Sequence, residues 1–342
     1  MFRQTPLKSL TMAGLLAAGA LYAWAGGYFA GELVVQAAGL AILAIGLDLA
    51  AGYGGMISLC HGAMSGVSAY VFAAMTVRLG ISPLIAFPAA ILAAALFGLA
   101  VGAVTSRTKG IFFIMATLAF GEMAHAYVFA SAALGGDDGL TGVKRIDLSA
   151  IGINLQQPFQ FALFALAALA AAYALAALVL RSGFGRTLVG IRSNETRMRA
   201  LGLPVWRYKA AAFGMSGAIA GLAGVIAAQH LMFVSPEMLV WTVSGEALVV
   251  VILGGLGTLA GPALGAAIFV FLKHEVSSLT DHWHMVVGVV LIAVVMCGGR
   301  GIFGQIEHYA DRHAARRLAR LDAAAGNLPE LRGSNPEGSR HA

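Results

Sequence analysis

The stretch RSGFGRTLVGIRSNETRMRALGLPVWRYK, residues 181–209, is the one long polar interruption in a chain otherwise made of apolar segments. It carries seven of the 22 Lys and Arg residues. Within it, Asn194 can cap the N-terminus of a helix, and Glu195 places a negative charge in the first turn. Gly202 followed by Pro204 ends the helix. The pattern predicts about two turns of helix over residues 194–201.

A small apolar surface accompanies this predicted helix. Met198 and Leu201 are three residues apart and fall on one helical face, with Leu203 and Trp206 just beyond. Positive charges surround this surface, so it would suit a groove on another protein. An ordinary basic loop at a membrane surface explains the charge equally well when the stretch is taken alone.

The rest of the chain has the composition of a polytopic membrane protein. Of 342 residues, 59% are hydrophobic and only 11% are charged, against about a quarter in soluble proteins. The mean hydropathy is +0.82. The 44 Gly residues suit close helix packing in lipid, where small side chains let backbones approach. Cys60 and Cys297 lie inside apolar runs without C-x-x-C spacing, so they indicate neither a disulfide framework nor a zinc site.

The fold class predicted is all-α, a membrane helix bundle with about ten spanning or partly re-entrant segments. The apolar segments are residues 10–28, 33–51, 57–77, 83–105, 111–133, 158–180, 210–230, 239–253, 259–272 and 285–297. The last three are shorter than the roughly 20 residues of a straight span. We therefore expect some segments to be tilted, re-entrant or broken.

The distribution of positive charge predicts the topology. Alternation through ten spans from a cytoplasmic N-terminus places 18 of the 22 Lys and Arg residues on the cytoplasmic side, as the positive-inside rule requires. Both termini are then cytoplasmic, and the basic pI of about 9.5 reflects topology rather than nucleic-acid binding. The first segment could instead be a signal peptide, but it is longer than a typical apolar core of that kind.

Two further predictions concern the C-terminal third. His282 and His284 flank Trp283 and are expected to anchor the outer membrane border. Residues 1–304 form the predicted membrane domain, and residues 305–342 a basic cytoplasmic tail. This tail would begin with a basic amphipathic helix and end in a disordered segment.

Two Gly-rich stretches interrupt the apolar segments at ends predicted to be cytoplasmic. They are GYGGMISLCHG, Gly52–Gly62, and GGLGTLAGPALG, Gly254–Gly265. Backbone this rich in Gly is tolerated at membrane depth where it is buried in protein or lines a cavity. Both stretches are candidates for broken helices beside a pathway. Simple Gly packing between helices explains either stretch equally well on its own.

Ionisable residues inside apolar segments cost about 3 kcal/mol each by insertion scales, and they usually face the bundle interior or a water-filled path. Asp48 is one such embedded residue. Candidates for lining a pathway are Ser58, His61, Glu122, His125, Glu246, Gly254 and Gly255. Glu122 and His125 form an E-x-x-H pair, but a di-iron site needs a second one and the sequence has none. Glu246 suits an interhelical hydrogen bond as well as a gate.

The sequence contains none of the catalytic motifs that would indicate an enzyme. It has no Gly-Lys dipeptide and hence no P-loop, and neither G-x-S-x-G nor H-E-x-x-H occurs. His61 near Ser58 has no acidic partner nearby in the sequence, so a nucleophilic triad is not supported. We expect no catalytic residues, no metal and no cofactor of the chain's own.

Five motifs, in this order and spacing, resemble the LivM-type permeases of bacterial branched-chain amino-acid ABC importers. They are GYGGMISLCHGAMSGVSAY, ATLAFGEM, GGDDGLTGV, GRTLVGIRSNETRMRALGLPVWRYKAAAFGMSGAIAGLAG and VVVILGGLGTLAGPALGAAIF, within about residues 40–304. The resemblance implies a permease of the bacterial inner membrane, in contact with membrane lipid. Its partners would be a second related permease subunit, two cytoplasmic subunits that bind ATP, and a periplasmic substrate-binding protein.

The substrate implied by the resemblance is leucine, isoleucine, valine or a related amino acid. Permeases for urea or short amides belong to the same family and remain an alternative. An ion-coupled secondary transporter, with Asp48, Glu122 and Glu246 carrying protons or Na⁺, is the alternative from a different class.

The resemblance further implies that residues 181–209 are the coupling segment that receives force from an ATPase. The coupling residues are Arg192, Asn194, Glu195, Met198, Leu201 and Gly202. Residues 181–192 are then a basic lead-in. The chain departs from the family at Arg197 and Met198, where two alanines are common, and at Cys60, where Gly is common. His61 matches the family and would pack locally near the pathway.

Overall fold

The computed structural model describes residues 6–147, 149, 152, 154–279, 285–286, 288–289, 292, 301–305 and 307. The chain divides into two compact units, Met1–Gly304 and Gln305–Ala342. The predicted anchor at His282 and His284, most of the predicted tenth segment, and nearly all of the predicted tail lie outside the described residues.

Helices dominate the described part of the chain. They are α1 (Pro6–Ala25), α2 (Gly27–Asp48), α3 (His61–Ala73), α4 (Pro83–Thr105), α5 (Ile111–Ala130), α6 (Pro158–Arg181), α7 (Gly183–Ser193), α8 (Glu195–Ala200), α9 (Val205–Leu231), α10 (Trp241–Gly254) and α11 (Gly261–Leu279). A two-residue antiparallel pair joins β1 (Leu140–Thr141) to β2 (Phe233–Val234), with Leu140 opposite Val234. The all-α prediction is confirmed.

Among the described residues, five helices are long and apolar enough to cross a membrane. They are α2 together with the π-helical turn that follows it, α4, α5, α6 and α9, and α10 is a shorter apolar helix. This arrangement is that of a polytopic membrane bundle. Which end of the bundle faces the cytoplasm stays a prediction.

Helices α2 and α9 occupy the centre of the bundle. Most of each is buried, whereas α4 and α5 are mostly exposed at the periphery. Helix α9 packs against α4, α3 and α2, and α2 also packs against α6 and α11. The fully buried Phe213 of α9 meets Phe113 of α5 edge to face, with ring centroids 5.7 Å apart.

Glycines let α9 approach its neighbours closely, as the composition predicted. A Cβ atom at Gly217 would lie 2.7 Å from the carbonyl oxygen of Ala94 in α4. One at Gly224 would overlap the backbone carbonyl of Ser65 in α3. Since a neighbouring backbone cannot swing aside as a side chain can, these positions exclude any larger residue.

Both Gly-rich stretches break helices. Helix α2 ends in a π-helical turn over Leu49–Tyr53, and α3 begins only at His61. The predicted segment starting at Ile57 therefore began four residues too early, because an apolar run does not show where helical hydrogen bonding resumes. The second break separates the end of α10 at Gly254 from the start of α11 at Gly261.

Basic residues at the two ends of the bundle belong to separate networks. Lys109 and Lys209 both contact α8, and Lys209 lies in the first turns of α9. Arg145 instead donates hydrogen bonds to the carbonyls of Gln229 and His230, at the other end of α9. Lys209 and the Arg145 contacts therefore lie at opposite ends of α9, and the predicted side of the membrane for each end stays a prediction.

We predict that Gly224→Ala destabilises the protein by about 3 kcal/mol, in the upper range for overpacking, because the new methyl group overlaps the Ser65 carbonyl. The measurement is thermal unfolding of the detergent-solubilised protein, followed by size-exclusion chromatography with fluorescence detection. The matched control is Gly245→Ala in α10, where nothing lies within 4 Å of the new Cβ. Equal melting temperatures for the two variants would refute the close approach of α9 to α3.

Candidate functional site

The coupling segment folds into two short capped helices. At the start of α7, the Gly185 N–H donates to the Ser182 hydroxyl at 3.5 Å. At the start of α8, the Arg197 N–H donates to the Asn194 side-chain oxygen at 2.9 Å. Gly202, with φ of +80°, follows α8 in the left-handed region that glycine favours. The predicted capped helix and its glycine stop are confirmed.

Residues 183–193 are a helix rather than a simple basic lead-in. Leu188 and Ile191 are three residues apart and both are buried, so they hold α7 against the bundle. Glycines at positions 183 and 185 weaken the helical signal because glycine disfavours helix interiors. Packing of the apolar face overrides that preference.

The exposed apolar surface differs from the predicted one. Leu201 is 69% exposed and Trp206 is 48% exposed, as expected for a docking surface. Met198 points the other way and packs on α7, where a Cβ atom at Gly190 would lie 2.8 Å from its Cε. The prediction that Met198 shares an outward face with Leu201 is therefore wrong, because α8 ends at Ala200 and Leu201 lies beyond it.

Glu195 braces α8 against two other elements. Its carboxylate lies 3.0 Å from Nζ of Lys209 in α9 and 3.2 Å from Nζ of Lys109 in the turn before α5. It also pairs with Arg199, one turn further along α8. Burial alone would raise the pKa of Glu195, but the hydrogen bonds and charges of Lys209 and Lys109 outweigh it and lower the pKa. The sequence showed the acidic first turn of α8 but gave no sign of these two lysines as partners.

Arg192 links α7 to the first Gly-rich stretch. Its Nη1 donates a hydrogen bond to the carbonyl of Gly52. Its aliphatic stem passes Gly55, where a Cβ atom would lie 3.1 Å from Cγ of Arg192. Arg192 therefore connects α7 directly to the backbone of the broken helix.

Asp48 joins the two breaks. Its side chain is fully buried, and it accepts hydrogen bonds from the Gly257 N–H at 2.6 Å and the Leu259 N–H at 3.2 Å. The two stretches are in close contact, since a Cβ atom at Gly52 would lie 2.6 Å from the Gly257 nitrogen. One carboxyl group thus satisfies two backbone donors in the non-helical stretch between α10 and α11.

A cavity of about 260 Å³ lies between the first Gly-rich stretch and the coupling segment. Its walls include Gly55, Ile57, Lys109, Arg192 and Glu195. The coupling segment therefore borders open space, rather than packed side chains, on this side.

Two predicted pathway residues lie in packed protein. The Ser58 hydroxyl accepts from the Cys60 N–H at 3.1 Å, just before α3. Nε2 of His61 lies 2.6 Å from the hydroxyl of Ser216, which donates to the carbonyl of Gly46 at 2.5 Å. Because that hydroxyl proton is already used, His61 donates to it. This geometry is that of helix packing, and a pathway role for these two residues stays a prediction.

The remaining pathway candidates fall in two places. Glu122 and His125 share one face of α5, with Oε2 and Nδ1 3.9 Å apart, and Glu122 is 45% exposed. Glu246 of α10 lines a cavity and lies 3.3 Å from Nζ of Lys273 in α11. Gly254 packs against the backbone of Gly261, and Gly255 has a φ of +119°, so both positions need glycine.

No metal-binding cluster of three or more His, Cys, Asp or Glu side chains occurs among the described residues. The prediction that the chain holds no metal or cofactor stays a prediction.

A membrane helix bundle with two joined helix breaks, contacted by a short braced surface helix, defines the membrane component of a transport system. The family model described as "Branched-chain amino acid transport system / permease component" matches residues 29–295, and the chain belongs to this family. The resemblance seen in the sequence is confirmed. The family's members are transport components and not enzymes.

Individual relatives agree with this assignment. The chain is 26% identical over 285 residues to the "High-affinity branched-chain amino acid transport system permease protein LivM" of Escherichia coli, covering 76% of this chain and 67% of that protein. LivM of Salmonella typhimurium is equally similar over 283 residues. The "Autoinducer 2 import system permease protein LsrC" of Klebsiella pneumoniae is 30% identical over 135 residues, 36% of this chain and 38% of LsrC. No solved structure matches the chain.

We predict that Glu195→Gln loosens α8, because the neutral side chain loses its ion pairs with Lys109 and Lys209. Hydrogen exchange at the amides of residues 195–200 should become faster at pH 7. Arg197→Gln is the control, since Arg197 is exposed on the same helix.

The pH dependence provides a second readout of this brace. A carboxyl group whose pKa is lowered in the folded state stabilises that state above its ordinary pKa of 4.5, and the stabilisation is lost as the pH falls through the lower, folded value. The protection factors of the α8 amides, which correct for the intrinsic pH dependence of exchange, should therefore fall in that acidic range in the unaltered protein, and Glu195→Gln should remove this step. Identical pH profiles would contradict the brace.

Proposed function

We propose that this chain is a membrane permease subunit of an ATP-driven, binding-protein-dependent importer of branched-chain or related amino acids in the bacterial inner membrane. The observation that carries the proposal is a continuous line of contacts. It runs from α8 and α7, through Arg192 to Gly52, and through Asp48 to Gly257. A force applied to the coupling segment reaches both helix breaks through this line.

The cytoplasmic partners are two subunits that bind and hydrolyse ATP, so the permease has no catalytic residue or cofactor of its own. We place one of them against the exposed surface formed by Leu201 and Trp206. Arg197 and Arg199 are exposed beside this surface and would pair with acidic residues at the rim of the partner's groove. The coupling set is then Arg192, Asn194, Glu195, Leu201 and Gly202, with Met198 supporting it from within.

A second permease subunit would cover α5. Glu122 and His125 lie past the middle of this helix on a half-exposed face, and lipid is a costly environment for an ionisable pair. Large apolar side chains are exposed on the same helix, namely Phe112, Met115, Met123, Tyr127 and Phe129. A protein partner or a water-filled path between the subunits removes that cost, and lipid contacts the rest of the periphery.

The substrate-binding protein would dock at the opposite end, which we assign to the periplasm. Arg145 fixes the long loop between α5 and α6 there, since it donates to the carbonyls of Leu155, Gln229 and His230. The Ile146 N–H also donates to the Gln229 side chain at 3.0 Å. Because the loop is tied down by these bonds, it offers a defined docking surface.

Import would follow from alternating access. Closure of the ATPases moves α8 and α7, Arg192 carries the movement to Gly52, and the linked breaks let the helices around them rock. We propose leucine, isoleucine and valine as the substrates, because the names of the LivM relatives specify branched-chain amino-acid transport. Another relative, LsrC, is a permease protein named for autoinducer 2 import, so substrates differ among the relatives.

The test is uptake of radiolabelled leucine into proteoliposomes that hold this chain, the second permease subunit, the ATPases and the binding protein. We expect saturable uptake that requires ATP and persists when ionophores collapse the proton and Na⁺ gradients. Uptake driven by a gradient without ATP would contradict the proposal and indicate a secondary transporter. Uptake of urea or a short amide in place of leucine would overturn the substrate.

A further inference from the structure

We propose that the cavity containing Glu246 and Lys273 binds the zwitterionic end of a transported amino acid, with Glu246 facing its ammonium group and Lys273 its carboxylate. The inference rests on the proposed function and names the residues that would contact the substrate inside the membrane. The aliphatic side chain of the substrate would lie against the apolar walls of the same cavity.

The cavity has the size and lining of a small-molecule site. Its volume is about 350 Å³, within the roughly 300–1,000 Å³ usual for such sites. It lies between α2, α3, α9, α10 and α11. Apolar side chains form most of its wall, among them Val35, Leu40, Leu43, Ile226, Val243 and Phe269. Such a wall suits a branched aliphatic side chain.

The two charges open into this cavity. Oε1 of Glu246 and Nζ of Lys273 lie 3.3 Å apart, and the side chains are 38% and 40% exposed. This exposure leaves both charges accessible to a ligand in the cavity. Adjacent opposite charges complement an α-amino acid, which carries its ammonium and carboxylate on one carbon. Urea is neutral and would gain much less from such a pair.

A second, smaller cavity lies next to this one, on the side of the bundle that holds Arg145. Its volume is about 160 Å³, and it shares Val35 and His230 with the larger cavity as wall residues. Glu32 and Arg145 also line it, and Oε1 of Glu32 lies 3.1 Å from Nε2 of His230. Opposite charges therefore also line the neighbouring cavity.

The first test uses Glu246→Gln and Lys273→Met in the proteoliposomes described above. Each variant loses one charge-assisted contact to leucine, so we expect leucine uptake to fall about 10-fold or more. Assembly with the partner subunits should stay unchanged, which shows that the variants fold. Glu275→Gln is the matched control, because Glu275 is exposed on α11 and is not part of the cavity wall. Normal uptake in both cavity variants would overturn the inference.

The double variant Glu246→Lys with Lys273→Glu exchanges the two charges. It distinguishes a substrate-binding role of these side chains from the role of a purely structural ion pair. The exchanged pair can still join α10 to α11, but each charge then faces the wrong end of the substrate. We expect uptake to remain low, and recovery to near the normal rate would overturn the inference. Failure of the unaltered importer to take up leucine would instead overturn the proposed function.

A labelling experiment avoids substitutions at the charged pair. Val243→Cys places a thiol on the cavity wall, in a protein whose Cys60 and Cys297 are replaced by Ala. We expect leucine to slow the reaction of this thiol with a maleimide. 4-Methylpentanoate lacks only the ammonium group of leucine and isoamylamine lacks only its carboxylate, so neither should slow it. The inference fails if leucine gives no protection.

Discussion

The hydrogen bonds that the carboxyl group of Asp48 accepts are the interaction on which the rest of the structure depends. Breaking a helix at membrane depth leaves backbone donors without partners, and each unsatisfied donor there costs several kcal/mol. Asp48, at the end of one broken helix, accepts from Gly257 and Leu259 beyond the end of another. The two breaks therefore stabilise each other, and a displacement of one would displace the other.

The coupling segment extends this arrangement to the surface. Glu195 holds α8 to the start of α9, and Arg192 holds the end of α7 to the carbonyl of Gly52. The segment is thus anchored to rigid helices on one side and to irregular backbone on the other. Force applied at Leu201 would be taken up mainly by the irregular backbone, which has room to move beside a cavity. A permease needs such a combination of rigid helices and movable backbone if a partner's movement is to open the pathway to the other side of the membrane.

Local features of this protein could be predicted from its sequence, whereas distant pairings could not. The capping roles of Asn194 and Gly202 follow from the chemistry of these residues alone, and the composition of the Gly-rich stretches predicts the helix breaks. Asp48 and Gly257 are 209 residues apart, and no periodicity links them. The partnership of Glu195 with Lys109 likewise depends on how α4, α5 and α9 pack. Met198 was misplaced because a three-residue spacing presumes that the helix continues to Leu201, and it ends at Ala200.

The central claim is that Arg192 transmits movement from the coupling segment to the helix breaks. Its most direct test is the number of leucine molecules imported per ATP hydrolysed by the reconstituted importer carrying Arg192→Met, with Arg186→Met on the exposed face of α7 as control. The account predicts that Arg192→Met still hydrolyses ATP while this ratio falls about tenfold, and that Arg186→Met keeps the normal ratio. An unchanged ratio in Arg192→Met would contradict the account.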